Sequence, residues 1–359
     1  MFGIQKSKQL VGLDIGSYAI KLIELISEGK GSKGRYSVIK AGYELLPHDA
    51  IVEGTIIDTT AVVDAVKLVF DENKISNKSV VISISGNSVI IKKISLPAMD
   101  RDELAESIIW EAKHNIPYPY EETNVDYSIL NEGETKKGEN LDILLVAAKK
   151  DKITNYSSVV HQSNKNLRAI EVDVFALLNA LNINYPEFTK DKTSAIINMG
   201  ANITNIIIIE RNIPQLFRDL SLGGLFFTEN MRKELNISFD EAEKALKGLE
   251  MEGIAKEQLQ TVLRTNIDNL LEEIEKTFSF YISGKREEKR IDNILLSGGL
   301  ANLTNLREYI EQKFSIKTEL FNPFLRIHYD DKKLNSIYAH EMASSFGVAT
   351  GLATRTLER

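Results

Sequence analysis

The chain has 359 residues, a formal net charge of −7 and no cysteine, which argues against a nucleic-acid-binding surface and excludes disulfide bonds and thiolate metal sites. Its 43% apolar and 26% charged residues are typical of a soluble globular protein. No apolar run approaches the roughly 18–20 residues of a membrane helix. Lys6 and Lys8 resemble the basic start of a signal peptide, but Asp14 and Ser17 interrupt what would be its apolar core. We therefore expect a cytoplasmic protein that neither binds nucleic acid nor inserts directly into a membrane.

The amino-terminal part predicts a sheet with a helix packed on it. Strand-like runs cover residues 9–26 and 34–46, and the first run is divided by a polar, glycine-containing turn. Apolar residues at helical spacing predict a helix over 59–73 that crosses back onto the sheet.

From residue 79 the pattern changes to short strands alternating with single helices. We predict a compact α+β insert over 79–168, which is large enough to be a subdomain. Its expected elements are strands at 80–84, 89–96, 124–130 and 141–148, helices at 100–115 and 151–163, and a loop at 131–140.

The second half repeats the order of the first, beginning with another strand–turn–strand segment at 195–210. We predict an internal duplication in which 1–78, 169–186 and 336–359 form one lobe and 187–335 form the other. The remaining expected elements are a strand at 168–172, helices at 175–181, 228–235, 239–249 and 256–282, a strand from 291 and a final helix at 338–350.

The first turn carries residue types suited to a phosphate and its metal ion. Gly16 allows a tight turn whose N–H groups can surround an anion, and Ser17 adds a hydroxyl donor beside Tyr18. Asp14 would repel a phosphate unless a cation intervened, so we expect Mg²⁺ bound to Asp14 through water. Lys21 lies within reach of phosphate oxygens, and we expect both charged residues near solvent. The alternative is a plain surface hairpin with an exposed lysine.

The second turn resembles the first but lacks its carboxylate. Asn198 stands where a second acid is expected, Gly200 lies at the turn, and Thr204 lies on the returning strand. An amide can orient water but supplies neither charge nor a base. This hairpin can therefore surround a phosphate, whereas activation of a hydrolytic water is doubtful.

A third group of residues predicts contacts to a nucleoside. Gly298 and Gly299 follow Ser297 between a strand and a helix, so backbone can approach an adenine or ribose closely. Glu243 and Lys247 lie one helical turn apart and either contact the ribose and base or form a solvent-exposed ion pair.

Together these motifs resemble the superfamily of nucleotide-binding proteins that contains actin, the large heat-shock chaperones and FtsA. Within it the chain is most similar to the PilM family of actin-like proteins in type IV pilus assembly. Three segments carry that likeness nearly end to end along the chain. They are Trp110-Glu-Ala with Ile116-Pro-Tyr-Pro and Val125-Asp-Tyr, Val172-Asp-Val-Phe-Ala-Leu, and Leu222-Gly-Gly with Thr228.

The resemblance implies a bilobed actin-like (ribonuclease H-like) duplicated α/β fold with an FtsA-type SHS2 α+β subdomain inserted at 79–168. It implies ATP and Mg²⁺ between the lobes, with Gly224 among the cofactor-binding residues. It also implies that the cytoplasmic tail of the inner-membrane protein PilN docks in a groove beside the insert, at Ile116, Pro117, Tyr118 and Pro119. The protein would then sit at the inner membrane through PilN and other pilus and motor components, with nucleotide state tuning assembly.

Two other functions remain open from the sequence. Asn198 departs from the usual Asp, so we expect a slow ATPase at most. An FtsA-like cell-division tether would need an amphipathic membrane helix, whereas residues 351–359 are too short and too weakly apolar to form one. A small-molecule kinase would need a carboxylate base, and no candidate exists beyond Asp14, which is assigned to the metal.

Overall fold

The computed structural model describes residues 10–28, 35–130, 140–249, 253–283, 290–330 and 335–355. Lys6 and Lys8, nearly all of the predicted loop at 131–140, and the last four residues of the chain lie outside the described residues.

The first sheet has five strands in the order β10-β6-β1-β2-β3. Strand β1 pairs antiparallel with β2 and parallel with β6, so the predicted strand–turn–strand is confirmed as a hairpin beside a parallel neighbour. The five strands are β1 (Val11–Ile15), β2 (Ala19–Glu28), β3 (Arg35–Leu45), β6 (Ser79–Ile84) and β10 (Asn166–Val172).

The second sheet has the order β13-β12-β11-β14-β15. In both sheets the strands, counted along the chain, run third, second, first, fourth, fifth across the sheet. The duplication that the sequence predicted from motif order is therefore a repeat of the same strand topology. The second set is β11 (Thr193–Met199), β12 (Thr204–Glu210), β13 (Ile213–Leu220), β14 (Asn293–Ser297) and β15 (Lys317–Leu320).

Helices cover both sheets. Helix α1 (Thr59–Glu72) starts where the Asp58 side chain accepts a hydrogen bond from the Ala61 N–H, and it buries an apolar stripe that includes Val66 and Phe70. The other helices of the two lobes are α4 (Asp173–Asn184), α5 (Gly224–Leu235), α6 (Phe239–Leu246), α7 (Lys256–Ser283), α8 (Leu306–Phe314), α9 (Ser336–His340) and α10 (Gly347–Ala353). A short hairpin, β4 (Ile51–Val52) and β5 (Thr55–Ile56), precedes α1.

The insert has a sheet and an apolar core of its own. Strands β7 (Val89–Pro97), β9 (Asn140–Lys149) and β8 (Thr123–Ile129) form an antiparallel sheet under α2 (Arg101–Asn115). By contrast, β6 hydrogen-bonds within the first sheet and α3 (Lys150–Gln162) contacts α1. The segment whose strands form a sheet separate from the two large sheets is therefore shorter than the predicted insert at 79–168. The lobe boundaries stay a prediction.

Two predicted helices differ from the structure. The segment at 338–350 is not continuous, because a 3-10 turn at Ala343–Phe346 separates α9 from α10. The Ser344 carbonyl oxygen in this turn accepts hydrogen bonds from the Gly298 N–H and the Ser297 hydroxyl, a contact between sequence-distant segments. After Gly299 the chain makes only one 3-10 turn, and α8 begins later at Leu306.

The apolar core joins the two sheets. The largest cluster contains β1 and α1 side chains such as Leu13 and Val66 together with Ile196 and Leu295 of the second sheet. Helix α10 reaches this region by close backbone approach, since a Cβ on Gly351 would lie 1.7 Å from the Ala176 carbonyl oxygen. Only glycine fits at that crossing of α10 and α4.

We expect Gly351→Ala to destabilise the protein by about 2–3 kcal/mol, because the added methyl group forces α10 away from α4. Urea unfolding followed by circular dichroism measures this loss. The matched control is Gly299→Ala, where φ is −67° and an added Cβ meets no atom within 4 Å. The control should change stability by less than about 0.5 kcal/mol, and equal losses would contradict the packing at Gly351.

Candidate functional site

The first hairpin contains a buried ion pair. The register of β1 and β2 places Asp14 opposite Lys21, and Lys21 Nζ lies 2.7 Å from Asp14 Oδ2. Their side chains are only 11% and 14% exposed, so the expectation that both lie near solvent is wrong. Because water has little access to either side chain, each charge needs a partner within the protein, and the two provide this for each other.

Asp173, which the sequence places within a segment that carries the family likeness but not among the expected site residues, acts on Asp14 of this pair. Burial raises the pKa of Asp14, Lys21 opposes that rise, and the negative charge of Asp173 adds to it. Asp173 is the first residue of α4 and directly follows β10. A carboxylate directly after a sheet strand was the signal that could have identified it.

In the second hairpin the partner of Asn198 is Asn205, not Thr204. The strand register pairs Asn198 with Asn205, and the Asn198 amide nitrogen donates to Asn205 Oδ1 at 3.0 Å. Thr204 lies one residue earlier, so its side chain points to the other face of β12. It is fully buried there and donates its hydroxyl to the Leu222 carbonyl oxygen, which leaves that hydroxyl committed within the protein.

The turn of the second hairpin holds a donor suited to an anion. The Gly200 N–H closes the turn on the Ile203 carbonyl oxygen at 3.0 Å. Next to it, the side-chain nitrogen of Asn202 is buried and has no hydrogen-bond partner. An unsatisfied buried N–H donor is costly, and a phosphate oxygen would satisfy it. Asn202 therefore joins Gly200 as a candidate contact that sequence reasoning missed.

The start of α5 is already hydrogen-bonded to this turn. The Gly224 N–H donates to the Gly200 carbonyl oxygen at 3.0 Å, and the Leu225 N–H donates to the Ala201 carbonyl oxygen at 2.8 Å. The role expected for Gly224 is therefore indirect, because its N–H supports the turn instead of facing a ligand.

The two glycines after β14 have different environments. Gly298 has a φ of +90°, and a Cβ there would lie 2.2 Å from the Met199 carbonyl oxygen, so only glycine fits. Its N–H is committed to Ser344 at 2.9 Å. Gly299 is exposed beside open space. Of the two, Gly299 is the one that can face a nucleoside.

Tyr18 links the first hairpin to α6. Its hydroxyl donates to Glu243 Oε2 at 3.2 Å and accepts from Lys247 Nζ at 3.1 Å. Glu243 and Lys247 also form the ion pair that was one of the two expectations, at 3.7 Å. A nucleoside reaching these side chains would compete with Tyr18 for them.

Lys152 is a second buried cation near Asp173, and no sequence pattern pointed to it. Its ammonium donates to the carbonyl oxygens of Gly54 at 3.0 Å and Ser85 at 2.6 Å. Burial lowers the pKa of Lys152, while the negative charges of Asp173 and Asp219 oppose that effect. One ammonium thus fixes two turns beside the hairpins.

The four residues expected to form the partner groove do not share one environment. Ile116 is 6% exposed and belongs to the core of the insert, so it does not line an open groove. Pro117 and Pro119 are exposed. Tyr118 is half-buried, donates its hydroxyl to the Asn87 carbonyl oxygen at 2.6 Å and carries Lys149 Nζ 4.0 Å from its ring centroid.

Within the described part of the chain, no group of three or more acidic or histidine side chains could hold a metal ion alone. A Mg²⁺ ion at Asp14 would therefore take most of its oxygen ligands from water and from a bound nucleotide. None of the described helices is long and apolar enough to cross a membrane.

Comparison with known proteins identifies one family and several similar structures. A family model described as type IV pilus assembly protein PilM matches residues 12–357. The structure of a PilM–PilN type IV pilus biogenesis complex is similar with a TM-score of 0.86 at 24% identity, covering 98% of this chain and 99% of that chain.

Two further structures are similar at lower scores. Ethanolamine utilization protein EutJ from Carboxydothermus hydrogenoformans has a TM-score of 0.56 at 13% identity, with 96% and 89% of the two chains covered. MreB5 of Spiroplasma citri bound to AMPPNP has a TM-score of 0.53 at 14% identity, with 95% and 94% covered. These likenesses confirm the predicted actin-like fold, and at such identities they concern the fold alone.

We expect Lys152→Met to cost about 3 kcal/mol of stability, because it removes the donor to Ser85 and the positive charge near Asp173. Chemical denaturation measures the loss. The control is Lys150→Met on the same helix, where an exposed ammonium donates to the Glu121 carbonyl oxygen at 2.7 Å. Its loss should stay within about 0.5 kcal/mol. Equal effects of the two substitutions would show that the buried ammonium has no special role.

Proposed function

The chain belongs to the PilM family of type IV pilus assembly proteins, and we propose that it is an ATP-binding actin-like scaffold that links the cytoplasmic side of a pilus machine to its inner-membrane part. One observation carries the nucleotide part of this proposal. The first of two topologically equivalent hairpins holds the buried Asp14–Lys21 pair, and the second holds an unsatisfied donor on Asn202. The two lie near each other, because the charge of Asp173 acts both on Asp14 and on Asp219 of the strand beside the second hairpin. An anion accompanied by a cation complements that set of groups.

The chain supplies contacts for each part of a nucleotide. Lys21, Ser17 and Asn202 would meet phosphate oxygens, and Gly299 would face the adenosine. Mg²⁺, when bound, neutralises phosphate charge, and Asp14 would hold it through water. With a nucleotide bound, Lys21 would pair with a phosphate oxygen and Asp14 with the hydrated cation, in place of their present contact with each other. Neither charge is then left unpaired.

Holding ATP fits this site better than rapid hydrolysis does. At the second hairpin, Asn198 stands where a carboxylate base is expected, and its amide can orient a water molecule but cannot take its proton. We therefore propose a scaffold that responds to bound nucleotide, with slow hydrolysis at most.

The partner that we propose is the cytoplasmic tail of PilN, the protein named with PilM in the similar complex. The exposed prolines Pro117 and Pro119, with Tyr118 between them, are the candidate contacts. Ile116 would support them from the core of the insert. Through PilN the protein would reach the inner membrane and the other components of the pilus machine.

The turn that carries Tyr118 also connects the candidate partner surface to the candidate nucleotide site. Tyr118 donates to the Asn87 carbonyl oxygen, and the preceding residue Gly86 donates its N–H to Asp219. A Cβ on Gly86 would lie 2.8 Å from Ile203 Cδ1 in the second hairpin, so the two turns are in contact. We propose that nucleotide state tunes assembly through this contact.

Asp14→Asn should weaken ATP binding about 10- to 100-fold in the presence of Mg²⁺ and change it little in EDTA, because the amide is a poorer partner for the hydrated cation. Isothermal titration calorimetry with and without Mg²⁺ measures both affinities. Asp64→Asn on the exposed face of α1 is the control and should bind as the unaltered protein does. Failure of the unaltered protein to bind ATP with Mg²⁺ would refute the nucleotide part of the proposal.

Tyr118→Ala should lower the affinity for a synthetic PilN-tail peptide by about 10-fold or more, because a half-buried aromatic ring is a typical anchor in an interface. Fluorescence anisotropy of a labelled peptide measures the change, and repeating it with Mg·ATP shows whether nucleotide tunes binding. Tyr127→Ala, an exposed tyrosine on β8 of the same insert, should keep the affinity within about 2-fold. Equal losses in both variants would place the docking surface elsewhere.

A further inference from the structure

The two equivalent hairpins carry their charges at different positions. In the first, Asp14 lies opposite Lys21, so carboxylate and ammonium face each other across one strand pair. In the second, Asn198 takes the place of Asp14 and Asn205 the place of Lys21. The next strand places Asp219 opposite Asn205. A carboxylate is therefore present in the second hairpin's sheet as well, but two strands away from β11.

The hydrogen bonds along Asn198, Asn205 and Asp219 all run in one direction. The Asn205 amide nitrogen donates to Asp219 Oδ1 at 2.8 Å, and the Asn198 amide nitrogen donates to Asn205 Oδ1 at 3.0 Å. An ionised carboxylate only accepts hydrogen bonds, so Asn205 must turn its NH₂ group toward Asp219. The Asn205 side-chain oxygen then faces Asn198, so Asn198 must donate a hydrogen bond to it through its own NH₂ group.

Asp219 lies at the open end of the three residues, beside a cavity of about 480 Å³ that Ser221 also lines. Partial burial of its carboxylate raises the pKa of Asp219, and the charge of Asp173 adds to that rise. The hydrogen bonds that the carboxylate accepts from the Asn205 amide and the Gly86 N–H, together with the ammonium of Lys152, oppose the rise and stabilise the ionised form. Asn205, in contrast, is fully buried and cannot exchange its bonds with water. The ionised carboxylate thus decides the orientation of a buried amide.

The orientation of Asn205 determines which atom Asn198, at the other end of the three residues, can offer to a ligand. Because the Asn198 nitrogen is committed to Asn205, the Asn198 oxygen is the part of the amide left without a hydrogen-bond donor among the described residues. On its other side β11 pairs with β14 at Ser297, whose hydroxyl donates to Ser344 instead. Asn198 therefore presents an acceptor at the end of β11.

We propose that Asp219 is a positioning residue of the candidate nucleotide site, because it orients Asn205 and through it fixes the Asn198 oxygen as an acceptor for the hydrated divalent cation of a bound nucleotide. The inference rests on the proposed ATP–Mg²⁺ site and adds a residue to it. An oxygen ligand suits Mg²⁺ or its water molecules, whereas an amide NH₂ group in the same place would repel them. A carboxylate at 198 is then not required for cation contact.

The orientation can be tested without nucleotide by a double-substitution cycle on thermal stability. Asn198→Asp alone places a carboxylate against the Asn205 oxygen, and turning Asn205 only transfers the clash to Asp219. We expect its melting temperature to fall by about 2–4 °C. Asp219→Asn alone can still accept from Asn205 and should shift it by about 1 °C or less. In the double variant both hydrogen bonds run in the opposite direction, and the melting temperature should return to within about 1 °C of the original.

The decisive result is a change of sign. Asp219→Asn should stabilise the Asn198→Asp protein although it does not stabilise the unaltered one. The control pair is Asn198→Asp with Asp292→Asn, because Asp292 accepts a hydrogen bond from the Thr193 N–H at 2.9 Å and has no link to Asn205. In that control pair the changes in melting temperature of the two single variants should add up to the change in the double variant. Additive behaviour of the Asp219 pair would overturn the proposal.

The effect on the cation is tested by ATP titrations at several Mg²⁺ concentrations. Asp219→Ala removes the acceptor that orients Asn205, so the Mg²⁺ concentration needed for half-maximal ATP binding should rise about 10-fold. Binding in EDTA should be unchanged, and Ser221→Ala from the same cavity should behave as the unaltered protein does. An unchanged Mg²⁺ requirement in Asp219→Ala would overturn the positioning role. If the unaltered protein bound no ATP, the proposed function itself would fail, whereas the stability cycle would still report on the orientation.

Discussion

Ionised side chains buried where the two sheets meet must find their partners within the protein, and this requirement shapes the whole junction. Burial of an uncompensated charge costs several kcal/mol, so each such group organises the segments around it. Asp14 is matched by Lys21 within one hairpin. Lys152 instead draws in the carbonyl oxygens of Gly54 and Ser85 from two separate turns. The two turns are held close together because their carbonyl oxygens replace water around the Lys152 ammonium.

The backbone around the hairpins is largely committed to its own structure. Gly224 at the start of α5 donates to the second turn, and Gly298 donates to the 3-10 turn between α9 and α10. These bonds fix the geometry of the site but remove N–H groups that a phosphate could otherwise use. The buried side-chain nitrogen of Asn202 and the open face of Gly299 are not committed in this way.

Much of the fold follows from local pattern, but strand register does not. Alternating apolar residues and glycine-containing turns were sufficient to predict both hairpins, and the order of motifs was sufficient to predict the duplication. The pattern alone pointed to Thr204 as the polar residue of the second hairpin, whereas the structure pairs Asn198 with Asn205. A difference of one position exchanges the two faces of a strand. The break at Ala343–Phe346 was missed because its cause, the contact of Ser344 with Gly298, joins distant parts of the chain.

The sequence by itself determined the family and the duplicated actin-like fold, and it predicted which residue types stand in the first hairpin's turn, because those depend on residue types at short spacing. Only the tertiary structure decided which side chains meet across the junction. Tyr18 reaches Glu243 over 225 residues, and Lys152 reaches Gly54 over 98. Asp219 acts on Asn198 only through Asn205, so neither residue alone reveals the connection. Such contacts depend on how strands are paired and sheets are packed, and a one-dimensional pattern does not contain that information.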